Sequence, residues 1–212
     1  MIANEPWQSD TTAADKRYSP SAARNRDPIL EVLRRALPPS GTVIEIAGGT
    51  GEHAVHFAAA LPCLTWQPTD PDPDSLRSIA AWRAEAALPN LLPPIELDVT
   101  WSRWPIDRAD AVMCINMIHI SPWKATPALF VGAARLLPAG APLVLYGPYR
   151  RAGVPTAPSN EAFDTSLRSR NSAWGLRDLD EVTATAGAHG FALAEVVEMP
   201  TNNLSVVYRR TG

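Results

Sequence analysis

Residues 42–51 read Thr42-Val43-Ile44-Glu45-Ile46-Ala47-Gly48-Gly49-Thr50-Gly51. The first five residues form a largely β-branched run that a glycine-rich segment closes, which is typical of a buried strand followed by a tight turn. From Gly51 to about residue 61 the apolar spacing indicates a helix. The stretch therefore predicts a strand, a glycine loop and a helix, the unit that binds a ligand in many α/β proteins.

The chain on either side of this stretch alternates in the same way. Short apolar runs at 64–69, 95–97, 110–115 and 142–146 predict strands, and amphipathic segments between them predict helices. The last two strands, 191–198 and 204–209, are joined by 199–203, which is too short for a parallel crossover. We expect an α/β fold, namely a Rossmann-like, doubly wound, mostly parallel seven-stranded sheet that ends in an antiparallel hairpin.

The 212 residues suit one domain preceded by a short arm. Residues 1–26 are polar and lack periodicity, so they predict an N-terminal arm or lid, and Asp27-Pro28 predicts the start of the first helix. Residues 27–212 then form the domain. The net charge of −3 disfavours a nucleic-acid partner. Without a secretion signal or an apolar membrane segment, and with two cysteines expected to be buried thiols, we expect a cytoplasmic protein without a membrane partner.

Acidic residues follow three of the predicted strands, where α/β sheets bind their ligands. Glu45 can accept a hydrogen bond from an ammonium, Asp70 can bridge two ribose hydroxyls, and Asp98 can accept from an adenine amino group beside the Val99 backbone. The helix after the glycine loop suits a carboxylate. S-adenosylmethionine carries all of these groups. The predicted cofactor-binding residues are Arg24, Glu45, Ala47, Gly48, Gly49, Gly51, Asp70, Asp98, Val99, Asn116 and Met117.

A dinucleotide site is the rival interpretation of the same loop. Residues 49–54, Gly49-Thr50-Gly51-Glu52-His53-Ala54, match the pattern G-x-G-x-x-G/A. The acids after the first and third strands and the terminal hairpin favour S-adenosylmethionine instead, and the chain has no Tyr-x-x-x-Lys pair for hydride chemistry. We therefore expect S-adenosylmethionine rather than NAD.

Several blocks along the chain resemble one methyltransferase-like family with bacterial and animal members, formerly classed as a domain of unknown function. The resemblance runs from Tyr18 almost to the end and implies a class I, S-adenosylmethionine-dependent methyltransferase, but little about its substrate. Ala47 stands where the general methyltransferase loop has its first glycine. The blocks are 18–26, 44–53, 66–70, 97–99, 116–120, 146–149 and 199–204.

Methyl transfer mainly requires the acceptor to be aligned with the methyl group, and a base only where the acceptor is protonated. The candidate catalytic residues are Asn116, His119 as a general base, and Tyr146. Arg24, in the predicted arm, is expected to pair with the cofactor carboxylate or with an acidic substrate. His53 and His56 could share a helix face, but without a third ligand we expect no metal.

The acceptor is the least constrained part of the prediction. Arginines and aromatic residues between 148 and 177 favour a small anionic or aromatic molecule. A protein- or RNA-directed methyltransferase and a non-catalytic, cofactor-binding regulatory or scaffold protein are the alternatives. The oligomeric state is left open.

Overall fold

The computed structural model describes residues 12–212. Its α-helices are α1 (Pro20–Ala36), α2 (Glu52–Ala60), α3 (Pro73–Ala86), α4 (Ala125–Leu136), α5 (Pro158–Arg170) and α6 (Leu179–Ala188). Its strands are β1 (Gly41–Ile46), β2 (Leu64–Asp70), β3 (Ile95–Glu96), β4 (Ala111–Ile115), β5 (Pro142–Gly147), β6 (Tyr149–Arg150), β7 (Arg177–Asp178), β8 (Phe191–Met199) and β9 (Asn203–Arg210). None of the helices in this part of the chain combines the length and apolarity that crossing a membrane requires.

Seven strands form one sheet in the order β3-β2-β1-β4-β5-β9-β8. The first five strands in this order pair in parallel, whereas β9 is antiparallel to both β5 and β8. The predicted fold class is therefore confirmed, including the terminal hairpin. The strand order reverses between β1 and β4, which puts the glycine loop after β1 at the position where α/β sheets bind ligands. Strands β6 and β7 form a separate two-stranded pair.

The sheet is covered on both faces because side chains alternate along each strand. On one face Val43 joins Trp66, Met113 and the inner face of α1 and α2. On the other face Ile44 and Ile46 pack with residues of α4 and α6. Such two-sided burial explains why apolar side chains of β1, Val43 on one face and Ile44 and Ile46 on the other, point to both faces of the sheet.

Helix α1 begins at Pro20, earlier than the predicted start at Asp27-Pro28. Ser19 is its N-cap, and Pro28 lies inside the helix rather than in its first turn. The buried positions Ala22, Asn25 and Ile29 already follow helical spacing and pack the early turns onto the sheet. Residues 20–26 therefore belong to the helical layer, and residues 1–11 lie outside the described part. The arm-or-lid assignment stays a prediction.

The segment after β5 contains α5, which the sequence did not predict. Its buried residues are Asn160, Asp164 and Leu167, so two of the three are polar and the helix lacks an apolar stripe. Of the two cysteines, Cys114 is buried as expected, but Cys63 is exposed. The expectation of two buried thiols is therefore wrong for Cys63.

Candidate ligand site

A cavity of about 700 Å³ opens at the carboxyl ends of β1, β2 and β4. Its volume is within the range of small-molecule sites. We call it the larger cavity. Its lining contains six of the predicted cofactor-binding residues, namely Ala47, Gly49, Asp70, Asp98, Val99 and Met117.

The glycine loop enters the larger cavity through Ala47 and Gly49, which have φ angles of 55° and 60°. A Cβ on Gly49 would meet only the Ala47 carbonyl oxygen, at 4.0 Å, so the space above the loop is open to a ligand. The Gly48 amide donates to the Thr69 carbonyl oxygen at 2.8 Å and ties the loop to β2. Gly48 does not line the cavity.

Gly51 also lies outside the cavity lining and has a packing role. Its φ is 91°, and a Cβ there would fall 2.8 Å from the Ile79 Cα. The absence of a side chain therefore lets the start of α2 approach α3 closely.

Asp70 faces the larger cavity at the end of β2. One carboxylate oxygen accepts from the Gly49 amide and the other from the Asp72 amide, both at 2.9 Å. Each oxygen retains acceptor capacity for a ligand hydroxyl. Burial raises the pKa of Asp70, while these two hydrogen bonds act in the opposite direction. The side chain thus holds the loop and presents an acceptor to the same cavity.

Glu45 lies behind the loop and is not among the residues that line the larger cavity. It is buried and accepts a hydrogen bond from the Trp66 indole nitrogen at 2.8 Å. Burial raises its pKa to about 7, an increase to which Asp70 contributes and which the Trp66 hydrogen bond opposes. Direct contact between Glu45 and a cofactor stays a prediction.

The opposite wall combines one acid with apolar side chains. Asp98 accepts hydrogen bonds from the amide and the hydroxyl of Thr100, both at 2.8 Å. Val99 and Met117 lie beside it, together with Leu97 and Ile46. This wall suits a flat apolar ring with polar edges.

Sequence reasoning missed several cavity residues. Arg17 comes from residues 12–19, which cross α3: its amide donates to the Ser78 hydroxyl at 2.8 Å and its guanidinium lies 3.3 Å from Asp72. Lys124 and Trp174 come from the turn before α4 and the loop before β7. These positions carry no local motif, so only the fold brings them to the cavity.

A second cavity, of about 350 Å³, lies beyond the turn after β4, and we call it the smaller cavity. Arg24, Asn116 and Tyr146 line it, whereas Asn116's neighbour Met117 lines the larger cavity. Asn116 has a φ of 60° and donates its amide to the Tyr146 carbonyl oxygen at 2.8 Å. Two consecutive residues of this turn therefore line different cavities.

His119 lies in the same turn but lines neither cavity. It is fully buried, packs edge-on against Tyr149 and lies under Gly147, where a Cβ would fall 2.5 Å from the imidazole Nε2. Burial, reinforced by the charge of Arg177, lowers its pKa to about 3. The imidazole is therefore neutral at neutral pH, and its role as a general base stays a prediction.

The arginines after β5 mostly have partners within the fold. Arg150 donates to both Glu161 carboxylate oxygens, at 2.7 and 2.8 Å, and Arg177 donates to the carbonyls of Ile118 and Ser121. The histidines of α2 are also engaged: His53 with Asn25 at 2.8 Å and His56 with Asp27 at 2.9 Å. Residues 12–212 hold no cluster of His, Cys, Asp and Glu side chains arranged to bind a metal ion.

Solved structures that are similar to this chain include methyltransferases. An O-methyltransferase family 2 protein from Planctomyces limnophilus, in complex with apigenin, is 15% identical with a TM-score of 0.77 and is matched over 90% of this chain and 58% of its own. CalO1, a methyltransferase in calicheamicin biosynthesis with bound S-adenosylhomocysteine, is 19% identical with a TM-score of 0.72. It is matched over 90% of this chain and 54% of its own.

The pyocyanin biosynthetic protein PhzM is 17% identical with a TM-score of 0.73 over 95% of this chain and 62% of its own. The chain thus spans 54% to 62% of these three structures. Residues 16–210 match the model of a family described as Protein of unknown function (DUF938).

Proposed function

The chain belongs to the DUF938 family of unknown function, and from this premise we propose that it is an S-adenosylmethionine-dependent methyltransferase that acts on a small-molecule acceptor. The observation that carries the proposal is the larger cavity. There an open glycine loop, the Asp70 carboxylate and the Asp98 wall converge at the point where the strand order reverses.

The residues of the larger cavity fit the parts of this cofactor. Asp70 has acceptor capacity for ribose hydroxyls. The apolar side chains of Leu97, Val99 and Met117 suit an adenine ring, and Asp98 can accept a hydrogen bond from the amino group of that ring. The Gly49 backbone allows close approach. A dinucleotide also carries ribose and adenine, so the preference for S-adenosylmethionine rests on Glu45, on Asp98 and on the terminal antiparallel hairpin.

The bound cofactor would supply a methyl group on a positively charged sulfur. The methyl carbon would pass to a lone pair of the acceptor, S-adenosylhomocysteine would remain, and a proton on the acceptor would go to a base or to water. The chain's contribution is then to align the acceptor with that carbon. Asn116 and Tyr146, which line the smaller cavity, are the residues we assign to this alignment.

A small-molecule acceptor is supported by the size of the cavities and by the structural likenesses, whose proteins act in natural-product biosynthesis or bind apigenin. We propose an anionic or aromatic acceptor on the basis of the site's own side chains. We also propose that the protein is cytoplasmic and has no nucleic-acid partner. We further propose that its family has animal as well as bacterial members.

Calorimetric titration of the purified protein with S-adenosylhomocysteine and with NADH tests the cofactor. We expect binding of S-adenosylhomocysteine and none of NADH, and mass spectrometry of the protein as purified should find the former if it is retained. The reverse preference would replace the proposal with a dehydrogenase. Binding without methylation of any molecule in an acceptor panel would favour a non-catalytic, cofactor-binding protein.

A further inference from the structure

The smaller cavity has a distinct set of side chains. It is lined by Ser21, Arg24, Asn25, Asn116, Tyr146, Pro148, Ser159, Asn160, Phe163, Thr201 and Asn203. Arg24 is the one charged side chain of this lining, and the lining contains no carboxylate. Amide and hydroxyl groups form most of the remainder, while Phe163 and Pro148 supply an apolar surface. Such walls match a small anion that carries a flat apolar part.

Arg24 is available to such an anion. Within residues 12–212 its one hydrogen bond goes from a guanidinium nitrogen to the Ser21 hydroxyl at 3.4 Å, and it makes no salt bridge there. Many other arginines in the same range have carboxylate partners, for example Arg35 with Glu195 at 3.0 Å. A guanidinium without a carboxylate at a cavity wall is suited to a ligand's carboxylate.

Tyr146 belongs to the polar part of this lining. Burial raises the pKa of Tyr146, while the side chains of Asn25 and Asn203 and the charge of Arg24 act in the opposite direction. Asn25, Tyr146 and Asn203 come from α1, β5 and β9, so three separate elements of the fold bring them to this cavity. The polar lining therefore draws on several elements and is not a local feature of one loop.

We infer that the smaller cavity is the acceptor site and that it selects an acceptor bearing a negatively charged group, with Arg24 as the counter-ion. The inference rests on the proposed function. The larger cavity has its own cations, Arg17 and Lys124, for the carboxylate of the cofactor. Asn116 lines the smaller cavity and Met117 the larger one, so the turn after β4 contributes to both sites.

A pair of probes that differ in charge tests the inference. The compounds 4-hydroxybenzoate and 4-hydroxybenzamide share their ring and hydroxyl, and both are titrated into protein saturated with S-adenosylhomocysteine. We expect the wild type to bind the anion about tenfold more tightly. Arg24→Gln should abolish this preference. The matched control is Arg34→Gln, since Arg34 lies on the same helix, pairs with Glu31 at 3.6 Å and should leave the preference unchanged.

Asn203→Asp is a second variant, which adds a carboxylate to the cavity and should also reduce the preference for the anion. Equal binding of the two probes by the wild type, or binding of neither at millimolar concentration, would overturn the inference. So would an Arg24→Gln protein that loses affinity for S-adenosylhomocysteine but not for 5′-methylthioadenosine, because Arg24 would then serve the cofactor's carboxylate.

Failure of the proposed function is a separate result. A wild type that does not bind S-adenosylhomocysteine contradicts the methyltransferase proposal whatever the probes do. The two probes are then titrated into the protein without S-adenosylhomocysteine. A preference for the anion that depends on Arg24 would still support an anion site in the smaller cavity, and no such preference would reject that site.

Discussion

At the scale of single residues, Asp70 connects the glycine loop to the ligand site through its hydrogen bond from Gly49. We predict that Asp70→Ala weakens S-adenosylhomocysteine binding about ten- to hundredfold, because hydrogen bonds to a charged group contribute roughly 1.5–3 kcal/mol. Calorimetric titration measures the change. Asp107→Ala is the control, since Asp107 is exposed and, among residues 12–212, pairs only with Arg103, at 2.9 Å. Unchanged affinity in a folded Asp70 variant would contradict the role.

Glu45 should give the protein a measurable pH dependence. Its pKa rises from 4.5 to about 7 in the folded state, so folding favours the protonated form. The Glu45 contribution to the free energy of unfolding is therefore complete below pH 4.5 and is lost as the pH rises through about 7. Glu45→Gln keeps an oxygen acceptor for Trp66 but does not titrate.

The measurement is urea unfolding of wild type and Glu45→Gln at a series of pH values. The variant should gain stability relative to wild type between these two pKa values. His53, whose pKa burial lowers to about 4, changes stability with the opposite sign as the pH rises, but equally in both proteins. A stability difference that stays constant with pH would show that Glu45 does not titrate in this range.

Alanine substitutions at Gly51 and Gly140 distinguish the stability lost through a steric clash from the stability lost through backbone strain. Both have positive φ, 91° and 80°, but a Cβ on Gly140 would meet no atom within 4 Å. Gly140→Ala should cost about 1–2 kcal/mol of unfolding free energy from backbone conformation alone. Gly51→Ala should cost about 1–3 kcal/mol more, because its Cβ meets Ile79. Equal losses in chemical denaturation would argue against the close α2–α3 contact.

At the scale of elements, Asp164 anchors α5 to the chain around it. Its carboxylate accepts from the Leu176 amide at 2.7 Å and from Arg168 at 2.9 Å, and only 11% of the side chain is exposed. Asp164→Ala should destabilise the protein by about 1–3 kcal/mol, since it leaves the buried Leu176 amide without an acceptor. Thermal and urea unfolding measure this loss, with Asp107→Ala as the exposed control. A loss of less than about 0.5 kcal/mol would contradict the anchoring role.

The sequence predicts helices and strands well where their buried side chains are apolar, and poorly where their buried side chains are polar. Strand β1 and the β8–β9 hairpin follow from apolar runs and a short connection, and the structure confirms them. Helix α5 was missed because Asn160 and Asp164 occupy buried positions that a periodicity search assigns to apolar residues. The start of α1 was misplaced because Pro28 is typical of a first helical turn, although here it lies inside a longer helix.

At the scale of the molecule, the candidate site is predictable where it follows strand ends and unpredictable where distant segments meet. Asp70 and Asp98 were found because parallel strands bring their carboxyl ends to one edge of the sheet. Arg17 and Trp174 reach the same cavity from segments far apart in sequence. The smaller cavity combines α1, β5, α5 and the β8–β9 turn, which no local pattern indicates.

Residues 12–19 form a strap across α3 and onto α2. The Trp82 indole donates to the Arg17 carbonyl oxygen at 3.0 Å, and Lys16 pairs with Glu85. We predict that a protein lacking residues 1–17 folds but binds S-adenosylhomocysteine up to about tenfold more weakly, because one wall of the larger cavity is lost. Calorimetry against a protein lacking only residues 1–11 tests this. Equal affinity of the two would exclude a binding role for the strap.

The strap also carries a trypsin recognition sequence, Lys16-Arg17, whose Arg17 lines the larger cavity. A protease needs an extended, detached segment, so cleavage there requires the strap to leave α3 first. A ligand that contacts Arg17 would hold the strap in place and slow the digestion. The protein thus has an intrinsic reporter of occupancy, which could screen metabolite mixtures for ligands of the larger cavity without a label or an activity assay.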